Sequence, residues 1–258
     1  GIILEEYDTF FGQLADILQD EFAQKGNVEL HLYDPDVLDK QIRKKAGESP
    51  IISLDPLMSK SVYGHAVSRG YYLSGKRDFG QIARPGTDSL LTQAQRITDT
   101  LEGQPTSVTE DDIFSGGSIV ASLESLIQRG VTIQNVIPGI QVGKPEKLDQ
   151  MGILFDPVML YETTDETNIF EKVDLGDPRD YLVGASGLVV KLPTGEYGRA
   201  PYVLPFVSAS ARAGIPEDSE KAFSLKVLQA NYAFFHTVED KVGKPILLKH
   251  INPDFARL

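Results

Sequence analysis

Residues 105–137 read PTSVTEDDIFSGGSIVASLESLIQRGVTIQNVI, and they set the fold class. The short run Pro105–Thr109 is β-prone, which favours a strand. A glycine-containing loop follows; the apolar spacing over 119–129 then predicts a helix, and Val131–Ile137 predicts a second strand. A strand, a helix and a strand within about 30 residues form a βαβ unit, whose crossover implies a parallel sheet. We therefore expect an α/β fold with a central, mainly parallel sheet flanked by helices.

The loop of this unit carries the most informative chemistry in the chain. Two acidic residues, Glu110 and Asp111, end the strand, and Ser115-Gly116-Gly117-Ser118 leads directly into the helix. Glycines let successive backbone N–H groups converge on one point, and a helix N-terminus adds partial positive charge there. The hydroxyls of Ser115 and Ser118 can donate to the same oxygens. The pattern predicts a phosphate site, with the acidic pair placed to accept hydrogen bonds from a sugar attached to that phosphate.

A capped helix N-terminus is the alternative interpretation of the same loop. Acidic residues and serines are favoured at that end of any helix. A cap, however, needs neither two glycines nor two flanking hydroxyls, so we favour the phosphate site. A second alternative concerns the acidic pair, which could be Asp111 and Asp112 in a shifted loop.

Over residues 108–120 the chain resembles the type I phosphoribosyltransferase family. The family's fingerprint is a strand, two acidic residues, three variable positions and Thr/Ser-Gly-Gly-Thr/Ser at the start of a helix. The resemblance implies that Glu110 and Asp111 bind the ribose hydroxyls of phosphoribosyl pyrophosphate (PRPP) and meet a metal ion only indirectly, through ribose or water. It also implies that the 5-phosphate lies in the loop, against Asp112, Ser115, Gly116, Gly117 and Ser118. Phe114 stands where members that act on 6-oxopurines carry an aspartate, which argues against a hypoxanthine or guanine acceptor.

The family also places a pyrophosphate loop upstream of the acidic pair. One version of that loop has the sequence Ser-Arg-Gly, and the segment Ser68–Gly70 looks similar to it. The guanidinium of Arg69 could donate two hydrogen bonds to pyrophosphate oxygens. The segment Asp55–Ser61 is the rival for this position. We expect the Gly- and Arg-rich stretch 63–87 to be mainly loop. The side chains expected to act on the departing pyrophosphate are Arg69, Lys76, Arg77 and Arg84, three of them in a loop that closes over the site.

The resemblance implies an enzyme that uses PRPP and Mg²⁺ to transfer ribose 5-phosphate to a small-molecule acceptor, with release of pyrophosphate. The alternative is a non-catalytic protein of the same fold that senses PRPP or a nucleotide. A sugar-phosphate phosphatase or kinase is a weaker interpretation, since the glycine-rich loop contains no lysine.

Composition limits the other classes of function. The 258 residues include 25 Lys and Arg against 37 Asp and Glu, a net charge of −12, which argues against a partner such as duplex nucleic acid. The absence of cysteine excludes disulfides, thiolate nucleophiles and cysteine metal sites. No apolar run approaches the roughly 18 residues that a membrane span requires. We expect a cytoplasmic protein without a membrane partner that could form a homodimer, as many relatives of this fold do.

We divide the chain near residue 145. Residues 1–145 are expected to form the PRPP-binding α/β core, which begins with an amphipathic helix over Leu4–Gln24. Residues 146–258 are expected to form a C-terminal α+β extension that packs on the same core and shapes the acceptor site. Within this extension, Pro216–Val238 has the pattern of a long helix. The run Asp177–Asp180 is either a turn or part of the acceptor site.

Overall fold

A computed structural model provides the structure of the protein. It describes the following residues: 2–23, 29–32, 35–55, 63–72, 78–113, 116–142, 146–161, 173–176, 178–193, 195, 197–210 and 215–247.

Six α-helices and one 3-10 helix are found in this part of the chain. The α-helices are α1 (Ile2–Ala23), α2 (Pro35–Ala46), α3 (Leu90–Leu101), α4 (Gly117–Ile127), α5 (Glu146–Asp149) and α6 (Glu220–Val242), and the 3-10 helix is Pro178–Tyr181. The helices predicted at the two ends of the chain are thus confirmed. None of the described helices combines the length and the apolar character that crossing a bilayer requires.

Fourteen strands are found in the described part of the chain. They are β1 (Glu29–Leu32), β2 (Ile51–Ser53), β3 (Tyr63–Gly64), β4 (Val67–Tyr72), β5 (Asp78–Ala83), β6 (Thr106–Thr109), β7 (Asp112–Ile113), β8 (Ile133–Val136), β9 (Ile140–Val142), β10 (Leu154–Phe155), β11 (Met159–Tyr161), β12 (Val173–Gly176), β13 (Leu188–Lys191) and β14 (Tyr197–Arg199). Strands β1 and β12 form a parallel pair of their own.

The main sheet is parallel, in the order β10-β8-β6-β2-β3. Three of its strands resume after a break of two or three residues as the parallel strands β7, β9 and β11. Backbone hydrogen bonds cross the breaks, because the Gly139 N–H donates to the Glu110 carbonyl over 2.9 Å and the Met159 N–H donates to the Gly139 carbonyl over 3.0 Å. The acidic pair therefore lies at an interruption within a continuing strand.

Helices cover both faces of this sheet. Adjacent residues of a strand point to opposite faces, and in β2 the side chain of Ile51 packs with Ile42 and Ala46 of α2. Its neighbour Ile52 belongs to a separate core that includes Ala94 of α3 and residues of α4. The expected α/β architecture, a mainly parallel sheet flanked by helices, is confirmed.

A second, mixed sheet has the order β14-β13-β4-β5. Strands β4 and β5 form an antiparallel hairpin, and β4 also pairs in parallel with β13. The expectation that residues 63–87 are mainly loop is therefore wrong. Local composition suggested a loop, but β4 obtains its backbone partners on one side from Leu188–Lys191, more than a hundred residues further along the chain. Such pairing is invisible in a local pattern.

Helices α1 and α6 pack against each other in antiparallel orientation, with Glu6 near Lys241 and Glu21 near Lys226. Their shared core contains Phe10, Leu14, Leu18, Phe223, Val227 and Phe234. Since β10 and β11 extend the parallel sheet and β13 pairs with β4, elements on both sides of residue 145 share sheets and cores. The division of the chain at that residue stays a prediction.

Candidate functional site

Three carboxylates meet at the carboxyl ends of two neighbouring parallel strands. Asp55 follows β2, and Glu110 and Asp111 follow β6. All three residues of β2 pair with β6. Side chains that follow adjacent parallel strands converge at one edge of the sheet, where α/β proteins usually bind ligands. One carboxylate oxygen from each residue lies within 4.8 Å of the other two. The pair that we expected to bind ribose is thus joined by a third acid, Asp55, the first residue of the rival pyrophosphate segment.

Burial and charge repulsion both raise the pKa values of the acidic residues in this cluster. Desolvation and the neighbouring charges of Asp55 and Asp112 raise the pKa of Glu110 to about 8. Desolvation and the same two carboxylates also raise the pKa of Asp111 well above its usual value, while Arg179 acts in the opposite direction. Negative groups held this close favour a cation or hydrogen-bond donors between them. The cluster is therefore suited to a divalent metal ion or to sugar hydroxyls.

Two buried arginines balance part of this charge. Arg179, in the 3-10 helix, contacts Asp55 Oδ1 through Nη1 at 2.9 Å and Asp111 Oδ2 through Nη2 at 3.1 Å. Arg84 lies 3.5 Å from Asp55 Oδ2 through Nη2, which also donates to the carbonyl of Val67. We expected Arg84 to be functional, and the structure brings it to the cluster. Arg179 was considered only as part of a turn or acceptor site, because no sequence signal links it to Asp111.

The first turn of α4 begins with glycine. Its N-cap is Gly116, with φ of 73°, a left-handed conformation that glycine adopts readily. Because glycine has no side chain, the cap residue supplies no hydrogen bond to the N–H groups of that turn. Gly117 and Ser118, the next two residues, are exposed. Phe114 and the predicted phosphate ligand Ser115 lie outside the described residues.

Residues of the β4–β5 hairpin lie directly against this helix end. Arg69 Nη2 donates to Ser118 Oγ over 2.6 Å, and Gln81 Nε2 donates to the Ser118 carbonyl over 2.6 Å. Arg69 is predicted to bind pyrophosphate and Ser118 to bind the 5-phosphate, and the structure brings these two residues into contact. The contact adds a guanidinium to the partial positive charge of the helix N-terminus.

Ser68–Gly70 lie within β4 and not in a loop, so the loop conformation predicted for them is wrong. Their contact with pyrophosphate stays a prediction. Ser68 is buried and pairs across the hairpin with Ile82, and Gly70 pairs with Gly80 at an irregularity in the register. Arg69 and Gly70 pair with β5 on one side and with β13 on the other, so their backbones are engaged in sheets and do not form a loop. Lys76, Arg77 and the rival residues beyond Asp55, from 56 to 61, lie outside the described residues.

Tyr202 is a further residue at this site that the sequence did not suggest. Its backbone N–H donates to the carbonyl of Asp180 over 2.8 Å. Desolvation and the charges of Asp180 and Asp112 raise the pKa of its phenol, and the nearby Arg69 opposes them. The phenol therefore lies among charged groups from both halves of the chain. No motif marks this tyrosine in the sequence.

Gly139 controls how closely β9 approaches the acidic pair. A Cβ atom at this position would lie 2.7 Å from the backbone oxygen of Asp111 and 3.2 Å from Leu38 Cδ1. Only glycine leaves room for this contact, so Gly139 helps to set the position of the Asp111 backbone.

Comparisons with known proteins give matches among solved structures. No protein-family model matches the chain, and no curated protein matches it. The structure is similar to orotate phosphoribosyltransferase from Mycobacterium tuberculosis in complex with PRPP, at a TM-score of 0.31 and 13% identity over 49% of this chain and 72% of that chain. It is also similar to UMP synthase from Leishmania donovani, at a TM-score of 0.27 and 11% identity over 49% of this chain and 27% of that chain.

Proposed function

We propose that this protein binds PRPP together with Mg²⁺ and transfers ribose 5-phosphate to a small-molecule acceptor, releasing pyrophosphate. One observation carries the proposal. The carboxylates of Asp55, Glu110 and Asp111 cluster at the end of β2 and β6, just before the glycine-capped N-terminus of α4. This order along the chain supports a site for sugar hydroxyls beside a site for a phosphate.

The 5-phosphate is proposed to bind at the first turn of α4. Backbone N–H groups at a helix N-terminus point toward an anion, and the helix dipole favours negative charge there. Ser118 offers a hydroxyl, and Arg69, 2.6 Å from that hydroxyl, offers a guanidinium. Gly116, Gly117 and Ser115 complete the loop in this proposal. Asp112, which we also expected near the phosphate, adds negative charge and would have to lie on its ribose side.

The carboxylate cluster is proposed to hold the ribose and the metal ion. Carboxylate oxygens are the ligands that Mg²⁺ prefers, and the spacing within 4.8 Å fits such an ion. Asp55, Glu110 and Asp111 would hold it, directly or through water. Glu110 and Asp111 would also accept hydrogen bonds from the ribose 2- and 3-hydroxyls. Bound Mg²⁺ would supply positive charge that stabilises the pyrophosphate as it departs.

In the proposed reaction, the bond between ribose C1 and pyrophosphate breaks and a bond between C1 and the acceptor forms. Positive charge develops on the sugar ring and negative charge on pyrophosphate, so fixed groups of the protein lower the barrier when they face those charges. Arg84 would face the leaving group, with Lys76 and Arg77 closing over it to exclude water. Glu110 and Asp111 orient the ribose and form no covalent bond with it.

The C-terminal half is proposed to shape the acceptor pocket. It contributes Arg179, Asp180 and Tyr202 to the surroundings of the acidic cluster. These side chains offer both donors and acceptors, which suits a polar, nitrogen-containing acceptor better than an apolar one. A screen of nucleobases and small amines for pyrophosphate release would identify it.

Isothermal titration calorimetry with PRPP and MgCl₂ tests the binding step. We expect Asp111→Asn to weaken PRPP binding by about tenfold or more, because it removes the charged acceptor of a ribose hydroxyl. Asp99→Asn is the matched control, since Asp99 is exposed on α3 and contacts Gln95. The control should bind PRPP as the wild type does. Absence of binding by the wild-type protein would refute the proposal.

A non-catalytic sensor of PRPP is the second candidate. Two observations favour it: the Ser68–Gly70 segment is a strand instead of a pyrophosphate loop, and Arg179 already contacts Asp55 and Asp111. Release of pyrophosphate discriminates between the two. A protein that binds PRPP but releases no pyrophosphate with any acceptor in the screen would be a sensor.

A further inference from the structure

We propose that Arg179 is a positioning residue that holds the carboxylates of Asp55 and Asp111 at the spacing and orientation that PRPP binding requires. This inference rests on the proposed function. It gives the C-terminal half of the chain a direct part in building the ribose site.

The contacts of Arg179 differ from those of an ordinary ion pair. Its two terminal nitrogens go to different carboxylates, at 2.9 Å to Asp55 and at 3.1 Å to Asp111. A guanidinium is planar and rigid, so the two contacts together constrain the separation of the acids. The side chain of Arg179 is only 6% exposed, and those of Asp111 and Asp55 are 15% and 11% exposed. Water therefore screens these contacts far less than it screens surface pairs.

Asp111 is held through both of its oxygens. Arg179 contacts Oδ2, and the backbone N–H of Asp112 donates to Oδ1 over 2.8 Å. A carboxylate oxygen can accept two hydrogen bonds, so Asp111 keeps acceptor capacity besides these two contacts and its side-chain hydrogen bond with Glu110. Arg179 thus fixes the direction of the carboxylate without occupying all of its acceptor positions.

The 3-10 helix that carries Arg179 is itself fixed to α6. Asn231 of α6 is buried and donates through Nδ2 to the carbonyl of Tyr181 over 2.7 Å. Its Oδ1 accepts the N–H of Val183 over 2.8 Å. The backbone on the C-terminal side of Arg179 is therefore tied to a long helix, as a positioning residue requires.

Loss of Arg179 would take this guanidinium away from the four acidic side chains of Asp55, Glu110, Asp111 and Asp112, while Arg84 would stay in ion-pair contact with Asp55. The acidic groups would turn apart or take up protons, so the ribose hydroxyls would meet misdirected or protonated acceptors. Lysine would keep the charge but, as a point donor, would not bridge both acids with the same geometry. We therefore expect PRPP binding to depend on the planar arrangement of the two terminal nitrogens as well as on the charge of the guanidinium.

Calorimetry with PRPP and MgCl₂ on Arg179→Gln, Arg179→Lys and Arg179→Ala tests this role. We expect Arg179→Gln to weaken PRPP binding by about tenfold or more and Arg179→Lys to recover only part of that loss. Guanidinium chloride at a non-denaturing concentration should restore binding to Arg179→Ala. Arg199→Gln is the matched control, because Arg199 is also buried in the C-terminal half but donates to the carbonyl of Gly184. It should lower stability without weakening PRPP binding.

A double-mutant cycle with Asp111→Asn checks that Arg179 acts through that carboxylate. The loss caused by Arg179→Gln should shrink in the Asp111→Asn background. Equal binding by the wild type, Arg179→Gln and Arg179→Lys would overturn the inference and leave the proposed function intact. Tighter binding by Arg179→Gln would overturn it as well, since Arg179 would then compete with PRPP. Absence of PRPP binding by the wild type would instead remove the proposed function and this inference together.

Discussion

Asp111 lies among charged side chains from three separate parts of the chain. Burial is the largest cause of its raised pKa, because a charge in a region that water reaches poorly is disfavoured. Its neighbours Asp55 and Asp112 raise the pKa further, and Arg179 lowers it. The sequence shows that residue 111 is an aspartate. Its ionisation, however, depends on residues that folding brings next to it.

His65 shows the same dependence on surroundings and leads to a prediction about pH. It is 1% exposed, and burial together with the charge of Arg129 lowers its pKa from 6.5 to about 4. Between these pH values the unfolded chain binds a proton on this imidazole and the folded chain does not. The free energy of unfolding should therefore fall by up to about 3 kcal/mol as the pH is lowered from 6.5 to 4.

Urea denaturation at a series of pH values measures this effect. We expect His65→Gln to lose less stability over that interval than the wild type does, and the difference between the two curves isolates the histidine from the acidic residues. His236→Gln is the control, because His236 is 58% exposed at the side chain and lies on the surface of α6. Parallel curves for the wild type and His65→Gln would contradict the prediction.

At the scale of elements, short segments without strong local patterns position the site. The 3-10 helix Pro178–Tyr181 has only four residues, too few to be stable alone. It carries Arg179, and it is held in place by Asn231 of α6. Strand β4 similarly brings Arg69 to the N-terminus of α4 because β13 and β5 pair with it on both sides.

We predict that Asn231→Ala disturbs both stability and the site. The substitution removes the partners of the Tyr181 carbonyl and the Val183 N–H, two backbone groups near the buried face of α6. Unpaired buried groups of this kind should lower the free energy of unfolding by about 2–4 kcal/mol. PRPP binding should weaken too, because the backbone that carries Arg179 loses its attachment. Denaturation and calorimetry on the same variant measure the two effects.

Ser224→Ala provides the matched control for that variant. Ser224 is also a buried polar residue of α6, and its hydroxyl accepts the N–H of Leu204, a residue outside the 3-10 helix, over 3.1 Å. The control should lose some stability and keep its affinity for PRPP. If both variants lost the same affinity, the effect would belong to α6 as a whole, and the link through the 3-10 helix would be wrong.

At the scale of the whole molecule, the two ends of the chain form one core. Leu14 of α1 is fully buried with Phe223 and Val227 of α6, although more than two hundred residues separate them in the sequence. Helix α6 in turn supports the segment that reaches the acidic cluster. The N-terminal helix therefore contributes to a core on which the candidate site depends.

We predict that Leu14→Ala lowers the free energy of unfolding by about 2–5 kcal/mol, because it leaves a cavity between α1 and α6. Leu225→Ala is the same chemical change at a position of α6 that is 58% exposed, and it should change stability by no more than about 0.5 kcal/mol. Urea denaturation of the two variants measures the difference. Similar losses in both would show that α1 does not pack on α6 as the structure indicates.

Local sequence predicted those parts of the protein whose structure depends on near neighbours. The apolar spacing of Leu4–Gln24 and of Pro216–Val238 predicted α1 and α6, and the run 105–137 predicted the strand, helix and strand of the parallel sheet. The acidic pair and the glycines before α4 were also visible, because both lie within one loop. Periodicity and turn chemistry act over a few residues, so a linear pattern records them.

Tertiary structure alone decided the remainder of the site. Strand β4 exists because β13 lies beside it, and that pairing turned an expected loop into a strand. The residues around the acidic pair come from separate segments of the chain: Asp55, Arg84, Arg179 and Tyr202. Local sequence does not predict the long-range contacts that bring them together. The reason is physical: pairing, packing and charge interactions depend on distance in space, whereas a sequence pattern reports only distance along the chain.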